Sequence, residues 1–97
     1  MASTKEYRDF IVEQLNELNV SFKQMMGEYL LYYEGTLFGG IYDDRLLVKI
    51  VDNNKKYHME EAIPYESAKP MYLVEDVDNI DKLKEIVLDT CAGLKQK

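Results

Sequence analysis

The chain has 97 residues and a mass of 11.4 kDa, enough for one hydrophobic core, so we expect residues 1–97 to form one domain rather than a multidomain protein. Hydrophobic residues make up 46% and charged residues 31%, which is typical of a soluble globular protein and too apolar for a disordered chain. The net charge of -6 repels nucleic-acid phosphates and anionic lipid headgroups, so neither direct nucleic-acid binding nor membrane binding is expected.

The N-terminal segment predicts a helix from about Thr4 to Leu18. Ser3 and Glu6 have the spacing of a capping box, in which each side chain bonds to the backbone of the other residue. Apolar residues then recur every three or four positions, as on one face of a helix. The segment contains no apolar run, so we expect neither a signal peptide nor a membrane span.

The segment from Glu28 to Val51 predicts three antiparallel strands. Its apolar residues are nearly continuous and rich in Tyr, Ile and Val. Interruptions at Glu34-Gly35 and at Asp43-Asp44 are pairs suited to tight turns. The pair Gly39-Gly40 inside a strand indicates the close packing of a helix or a bulge.

The rest of the chain predicts a short helix, two short strands and a final helix. The short helix falls between Asp52 and Ala62, the strands at Pro64-Tyr65 and Pro70 to Val74, and the last helix is capped by Asp78 or Asn79. The predicted fold class is therefore α+β. We expect a two-layer structure with an antiparallel sheet of about five strands and helices on one face, in the order helix, three strands, short helix, two strands, helix.

Strand period two assigns every side chain to a face of the sheet once the turns are fixed. The turn at Glu34-Gly35 predicts these pairs: Tyr33 with Thr36, Tyr32 with Leu37 and Leu31 with Phe38. The turn at Asp43-Asp44 predicts these pairs: Tyr42 with Arg45, Ile41 with Leu46 and Phe38 with Lys49. The two sets agree in parity, so they sort the side chains of all three strands onto two faces.

The two predicted faces differ in composition. The face expected to pack under the helices is almost purely aliphatic: Leu30, Tyr32, Leu37, Gly39, Ile41, Leu46, Val48 and Ile50. The opposite face, which we define as the predicted interaction face, mixes aromatic and aliphatic residues: Tyr29, Leu31, Tyr33, Phe38, Tyr42, Leu47, Lys49 and Val51. Because large exposed apolar patches mark interaction sites, we expect this face to bind a protein, with a homodimer as the first candidate. The alternatives are that the short middle helix covers it or that its tyrosine hydroxyls only face water.

Few residues of the sequence are candidates for catalysis or for binding a ligand. Lys49 interrupts an apolar strand, and either its stem snorkels to water or its ammonium contacts a carboxylate of a partner. His58 and Cys91 have no zinc or nucleophile-base spacing, and the other residues show no catalytic motif, so no catalytic residue, metal or cofactor is expected. Cys91 lies on the apolar stripe of the last helix, where we expect a structural role. A lone cysteine suits a reducing compartment, so we expect a cytoplasmic protein.

Two stretches resemble the N-terminal domain of the TfoX/Sxy family of bacterial competence regulators. They are Met25-Met26-Gly27-Glu28-Tyr29 and the run from Tyr33 to Lys49, which combines a Gly turn, a Phe-bearing strand and an Asp-Asp-Arg-Leu-x-x-Lys ending. Pro64-Tyr65-Glu66 and Met71-Tyr72 extend the likeness over nearly the whole chain. The family patterns also keep a lysine at the position of Lys49.

The resemblance implies an α+β fold similar to secretion-chaperone-like folds. It also implies a non-enzymatic cytoplasmic role in the transcriptional regulation of DNA uptake, through protein contacts with the transcription machinery. The chain ends near residue 97, where the full-length regulators continue into a C-terminal domain, so another use of a stand-alone domain stays open. The alternatives are a regulator that binds nucleic acid directly and a small enzyme of unspecified reaction.

Overall fold

The computed structural model describes residues 3–95, which form an α+β structure around one antiparallel sheet. Its helices are α1 (Lys5–Gln14) and α2 (Ile80–Lys95), with 3₁₀ helices at Asn16–Leu18 and Asp52–Tyr57. Its strands are β1 (Ser21–Met25), β2 (Glu28–Tyr33), β3 (Thr36–Ile41), β4 (Leu46–Val48), β5 (Glu60–Ala62) and β6 (Met71–Val74). The sheet is six-stranded, in the order β1-β2-β3-β4-β6-β5, and the predicted fold class is confirmed.

Both α-helices pack on one face of the sheet, which we call the inner face. Ile11 and Leu15 of α1 belong to the same core as Leu83 and Val87 of α2. The sheet contributes these buried residues: Tyr29, Leu31, Phe38, Ile41, Leu46, Val48 and Val74. The prediction that helices cover one side only is therefore confirmed, and the opposite side is called the outer face below.

The helix α1 is capped by Thr4, because the Thr4 hydroxyl accepts a hydrogen bond from a backbone N–H of the first turn. Ser3 is buried, and its hydroxyl donates to Oε1 of Glu28 at 2.6 Å. The backbone N–H of Asp44 donates to the Ser3 hydroxyl at 3.0 Å. The predicted capping box of Ser3 with Glu6 is therefore wrong, because the Ser3 side chain bonds to Glu28 and to the backbone of Asp44 instead.

The sheet has one strand more than predicted, and one strand in a different place. β1 lies in a segment where no strand was expected, and it turns into β2 at Met26 and Gly27, with φ values of 53° and 84°. Such left-handed pairs are typical of tight hairpin turns. At the other end of the sheet, β5 precedes the predicted position at Pro64-Tyr65, since proline cannot donate to a ladder.

The register between β2 and β3 changes at Phe38. The two predicted pairs nearest the turn are present: Tyr33 with Thr36 and Tyr32 with Leu37. Leu31 then lies opposite Gly39, so Phe38 is the extra residue of a β-bulge and its predicted pairing with Leu31 is wrong. A one-residue shift reverses the faces, so the alternation of β2 is inverted relative to the prediction.

Gly39, the residue after the bulge, lies very close to the backbone of β4. A Cβ at this position would lie 2.1 Å from the carbonyl oxygen of Leu47, so β3 and β4 approach too closely for a side chain. The prediction for Gly39-Gly40 was close packing of a helix or a bulge. A bulge is present at the preceding residue, Phe38, and the groups packed closely at the two glycines are neighbouring strands and the Tyr42 ring rather than a helix. The turn between β3 and β4 follows the prediction: Tyr42 with Arg45, Ile41 with Leu46 and Phe38 with Lys49.

Candidate functional site

The predicted interaction face does not exist as one exposed surface. Tyr29, Leu31 and Phe38 lie in the core under the helices, with exposed fractions of 2%, 0% and 0%. The bulge at Phe38 is the cause, since it turns the alternate side chains of β2 inward. The expectation that these three side chains face solvent is therefore wrong.

Three further residues of the predicted interaction face are half-buried. Tyr33 packs against the core, and Val51 lies so close to α2 that a Cβ at Gly93 would be 2.6 Å from its Cγ2 atom. Lys49 bonds through its backbone N–H to the carbonyl of Phe38 at 2.8 Å, as predicted. Among residues 3–95, no carboxylate lies within 4.0 Å of the Lys49 ammonium, and its role toward a partner stays a prediction.

The centre of the outer face is closed by the chain's own side chains. Tyr42 and Leu47, the last two residues of the predicted interaction face, belong to it but are only 9% and 0% exposed. The Tyr42 ring lies over Gly40, where an added Cβ would meet it at 2.8 Å, and the Tyr65 ring is 6.2 Å away between centroids. Burial, with a smaller effect of Tyr65, raises the pKa of the Tyr42 phenol.

The open part of the sheet is its β1 edge, defined here as strand Ser21–Met25 together with Met26. All five strand residues are exposed, and within residues 3–95 no strand pairs with the outward side of β1. Apolar side chains are exposed along it: Phe22 (42%), Met25 (51%) and Met26 (95%). Exposed edges of this kind are templates for pairing with another chain.

The hairpin geometry identifies which backbone groups of β1 are unpaired. Met25 faces Glu28 across the two-residue turn, so these residues form a hydrogen-bonded pair. Bonded and non-bonded pairs alternate along an antiparallel ladder, so the N–H and C=O groups of Phe22 and Gln24 point away from β2. No hydrogen bond among the described residues uses these groups. They are available to a strand from outside.

The Phe22 ring is held in place on the inner side of this edge. It meets the Tyr29 ring edge to face, with the centroids 5.9 Å apart. The guanidinium of Arg8 lies 4.7 Å from the Phe22 centroid and is itself paired with Asp9 at 2.8 Å. The hydrogen bond to Asp9 raises the pKa of Arg8. Phe22 therefore presents a fixed apolar surface next to the unpaired backbone groups.

The opposite edge of the sheet, β5, is protected. It has three residues, of which Glu60 and Glu61 are exposed, and Pro64 follows shortly after its end. Shortness, charge and proline are the usual means by which proteins prevent an edge from pairing. Lys23 is the one charged residue of β1, so the two edges differ in length, charge and apolar content.

Several titratable side chains are buried or hydrogen-bonded within the fold. The Tyr57 hydroxyl donates to Oδ2 of Asp89 at 2.5 Å, and burial together with this bond raises the Tyr57 pKa. Burial also raises the pKa of the Cys91 thiol, and His58 is exposed. Residues 3–95 contain no group of three or more His, Cys, Asp or Glu placed to hold a metal ion. In the same range, no helix has the length and apolar character needed to span a membrane.

Sequence reasoning missed the β1 edge because its residues carry no alternation. Burial on one face produces a period-two pattern, and a strand exposed at every position has none. The one signal present was Gly27, which favours the positive φ of the hairpin turn. The Met residue before it is an unusual turn former and weakened that signal.

Comparison with curated proteins places the chain in a family. No model of a known protein family matches the chain. Among curated proteins, the chain is similar to the "Uncharacterized 12.7 kDa protein in trpE 5'region" of Spirochaeta aurantia, with 31% identity over 98 residues, covering 97% of this chain and 85% of the relative. The likeness covers nearly all of this chain and most of the relative. The chain therefore belongs to the same family as this spirochaete protein.

Proposed function

We propose that this protein is a non-enzymatic protein-interaction module that binds its partner by strand addition at the β1 edge. The observation that carries the proposal is the exposed five-residue edge strand whose Phe22 and Gln24 backbone groups have no partner within the described chain. In strand addition the main-chain hydrogen bonds supply affinity, and adjacent side chains supply specificity. Phe22 and Met25 are the apolar side chains placed to do so.

The setting of the module is part of the proposal. The resemblance of the run from Tyr33 to Lys49 to TfoX/Sxy regulators supports a role in the regulation of DNA uptake, through contacts with the transcription machinery. The lone, buried Cys91 supports a cytoplasmic location. The net charge of -6 supports a protein partner over nucleic acid, so a gel-shift assay in low salt should show no complex. A shift in that assay would favour the nucleic-acid alternative.

A capture experiment with matched baits tests the proposal. Gln24→Pro removes an N–H that points away from β2 and leaves the hydrogen bonds between β1 and β2 in place, since proline is tolerated on the open side of an edge strand. Gln24→Ala keeps the N–H and is the control. Proteins recovered from the native extract with the parent and Gln24→Ala baits should be lost with Gln24→Pro.

Two measurements complete the test. Circular dichroism and thermal unfolding establish that the Gln24→Pro bait is folded like the parent. Equal recovery of the same proteins by all three folded baits would contradict strand addition at this edge, because it would place the binding surface elsewhere on the molecule.

A further inference from the structure

We infer that the strand added at the β1 edge is β1 of a second copy of this chain, antiparallel to the first and related to it by a two-fold axis through Phe22. This inference rests on the proposed function and names its partner. Two-fold pairing uses the same surface on both copies, so the strand must be complementary to itself. The faces, backbone groups and charge of β1 decide whether it is.

Parity restricts the pairing to a few registers. Antiparallel neighbours point their side chains to the same face of a sheet, so residues of equal parity must lie opposite each other in a two-fold pair. The axis then passes through a residue, and within the strand interior that residue is Phe22, Lys23 or Gln24. In each case the α1 helices of both copies lie on the same side of the joined sheet.

Two of these registers are unfavourable. An axis at Lys23 places the two Lys23 ammonium groups directly opposite each other, and like charges at such a pair are destabilising. An axis at Gln24 places Phe22 opposite Met26, whose φ of 53° belongs to the turn and cannot continue a ladder. The second register therefore has one bonded pair and no extension.

The register centred on Phe22 satisfies the backbone and separates the charges. The outward N–H and C=O groups of Phe22 bond to those of Phe22 in the second copy, and the two rings face each other on the inner side. Gln24 lies opposite Val20, which directly precedes β1. Lys23 lies opposite Ser21, so the lysines are not paired with each other.

The size of this contact predicts a weak, concentration-dependent dimer. Stable protein interfaces usually bury about 1,200 to 2,000 Å² in total. One five-residue edge strand is expected to supply less than that, because the contact involves a single strand of each copy with Phe22 as its central apolar side chain. We expect dissociation in the micromolar range, with dimers dominant only at higher chain concentrations.

Cysteine cross-linking tests the partner and the register together. In the Phe22 register, Ser21 and Lys23 of the two copies form a non-hydrogen-bonded pair with Cα atoms about 4.5 Å apart, within the range for a disulfide. Chains carrying Ser21→Cys should therefore cross-link with chains carrying Lys23→Cys when the two are mixed and oxidised. Neither variant should cross-link alone, and the parent chain, whose Cys91 is buried, is the control.

Two other outcomes of the cross-linking experiment would contradict the inference. Cross-linking of Lys23→Cys chains with one another would overturn the register, since it requires the axis at Lys23. Absence of any cross-link in the mixture, with all chains folded by circular dichroism, would overturn the pairing of two copies through β1.

A non-covalent test uses charge at the two-fold axis. Sedimentation should show the parent in monomer-dimer equilibrium and Phe22→Lys with association weaker by at least about tenfold. Mixing folded Phe22→Lys and Phe22→Glu chains should restore a heterodimer, because only a residue on the axis meets itself. A parent chain that stays monomeric at every concentration would overturn the second-copy inference. The proposed function would still stand if capture of a different protein depended on the Gln24 N–H.

Discussion

At Gly39 and Gly40 the sheet is so tightly closed that a single methyl group would collide with backbone of the next strand or with the Tyr42 ring. At β1 every residue is exposed. Both regions are strands of one antiparallel sheet, yet the first is closely packed by the chain itself and the second is exposed. The difference comes from position in the sheet, because a central strand has two neighbouring strands and an edge strand has one.

This contrast separates stability from binding. Substitutions at the closed centre should lower the free energy of unfolding, because native packing leaves no room for adjustment. Substitutions at the β1 edge should leave that free energy nearly unchanged and act on association.

The largest effect is expected for Gly39→Ala. Its Cβ would lie 2.1 Å from the Leu47 carbonyl oxygen and 2.8 Å from Cα of Val48, so β3 and β4 must separate. We expect the free energy of unfolding in urea to fall by more than about 3 kcal/mol. Gly35→Ala is the control, since its Cβ meets nothing within 4 Å and costs only the positive φ of +80°, about 1 kcal/mol. Equal losses would contradict a closed centre.

Leu47→Ala and Met25→Ala compare the two regions with the same kind of truncation. Leu47 is 0% exposed on the outer face, so its removal should cost about 2 to 4 kcal/mol in urea unfolding. Met25 is 51% exposed at the edge, and its loss should cost less than about 0.5 kcal/mol. A Leu47→Ala protein as stable as Met25→Ala would mean that the outer face is open at its centre.

Asn54→Ala tests a group of buried hydrogen bonds in the segment that follows β4. The Asn54 carboxamide donates to the Lys49 carbonyl and to the Thr90 hydroxyl, each at 2.8 Å, and accepts from the backbone N–H of Val51. Its loss leaves buried groups unpaired and should cost about 2 kcal/mol in thermal or urea unfolding. Lys55→Ala, at an exposed neighbouring position, should leave the free energy of unfolding nearly unchanged. Similar losses would show that these hydrogen bonds are not needed.

Tyr57→Phe should have a smaller, pH-dependent effect. The bond from Tyr57, and then the ammonium of Lys56, lower the pKa of Asp89 in the folded state. This stabilisation is complete above the unfolded pKa and is lost as the pH falls through the folded one. The variant should be less stable by about 1 kcal/mol near pH 7, with the gap narrowing below about pH 4. Urea unfolding at several pH values measures this; a constant gap would contradict the coupling.

Lys23→Thr should have the smallest effect. Lys23 is exposed at the β1 edge, so the free energy of unfolding should change by less than about 0.5 kcal/mol. In the register centred on Phe22, Lys23 faces Ser21, so the dimerisation constant should change by less than about threefold. A much larger gain in association, measured by sedimentation, would point to an axis at Lys23.

Features of the fold that depend on neighbouring residues were easier to predict than features that depend on residues far apart in the sequence. The turn at Asp43-Asp44 was predicted correctly because both residues tolerate the positive φ values, 55° each, that the turn requires. The bulge at Phe38 lies between β2 and β3, and no local sequence pattern specifies its position. The glycines indicated that a bulge was an option, but its position reverses one whole strand.

The candidate site was less predictable than the fold. Hydrophobic periodicity reports what a chain buries, and the β1 edge buries too little to produce a pattern. The predicted interaction face gathered the most apolar side chains, and for that reason several of them, such as Leu31 and Phe38, belong to the core. The exposed edge became visible only when the strand order was known.

The protection of β5 by Glu60 and Glu61 limits the size of any assembly that the sheet builds. A sheet with two unprotected edge strands can add further copies at both edges without limit, as fibrils do. In the proposed pairing of two chains at β1, both remaining edges would be β5 strands that carry exposed carboxylates, so growth would stop at the dimer.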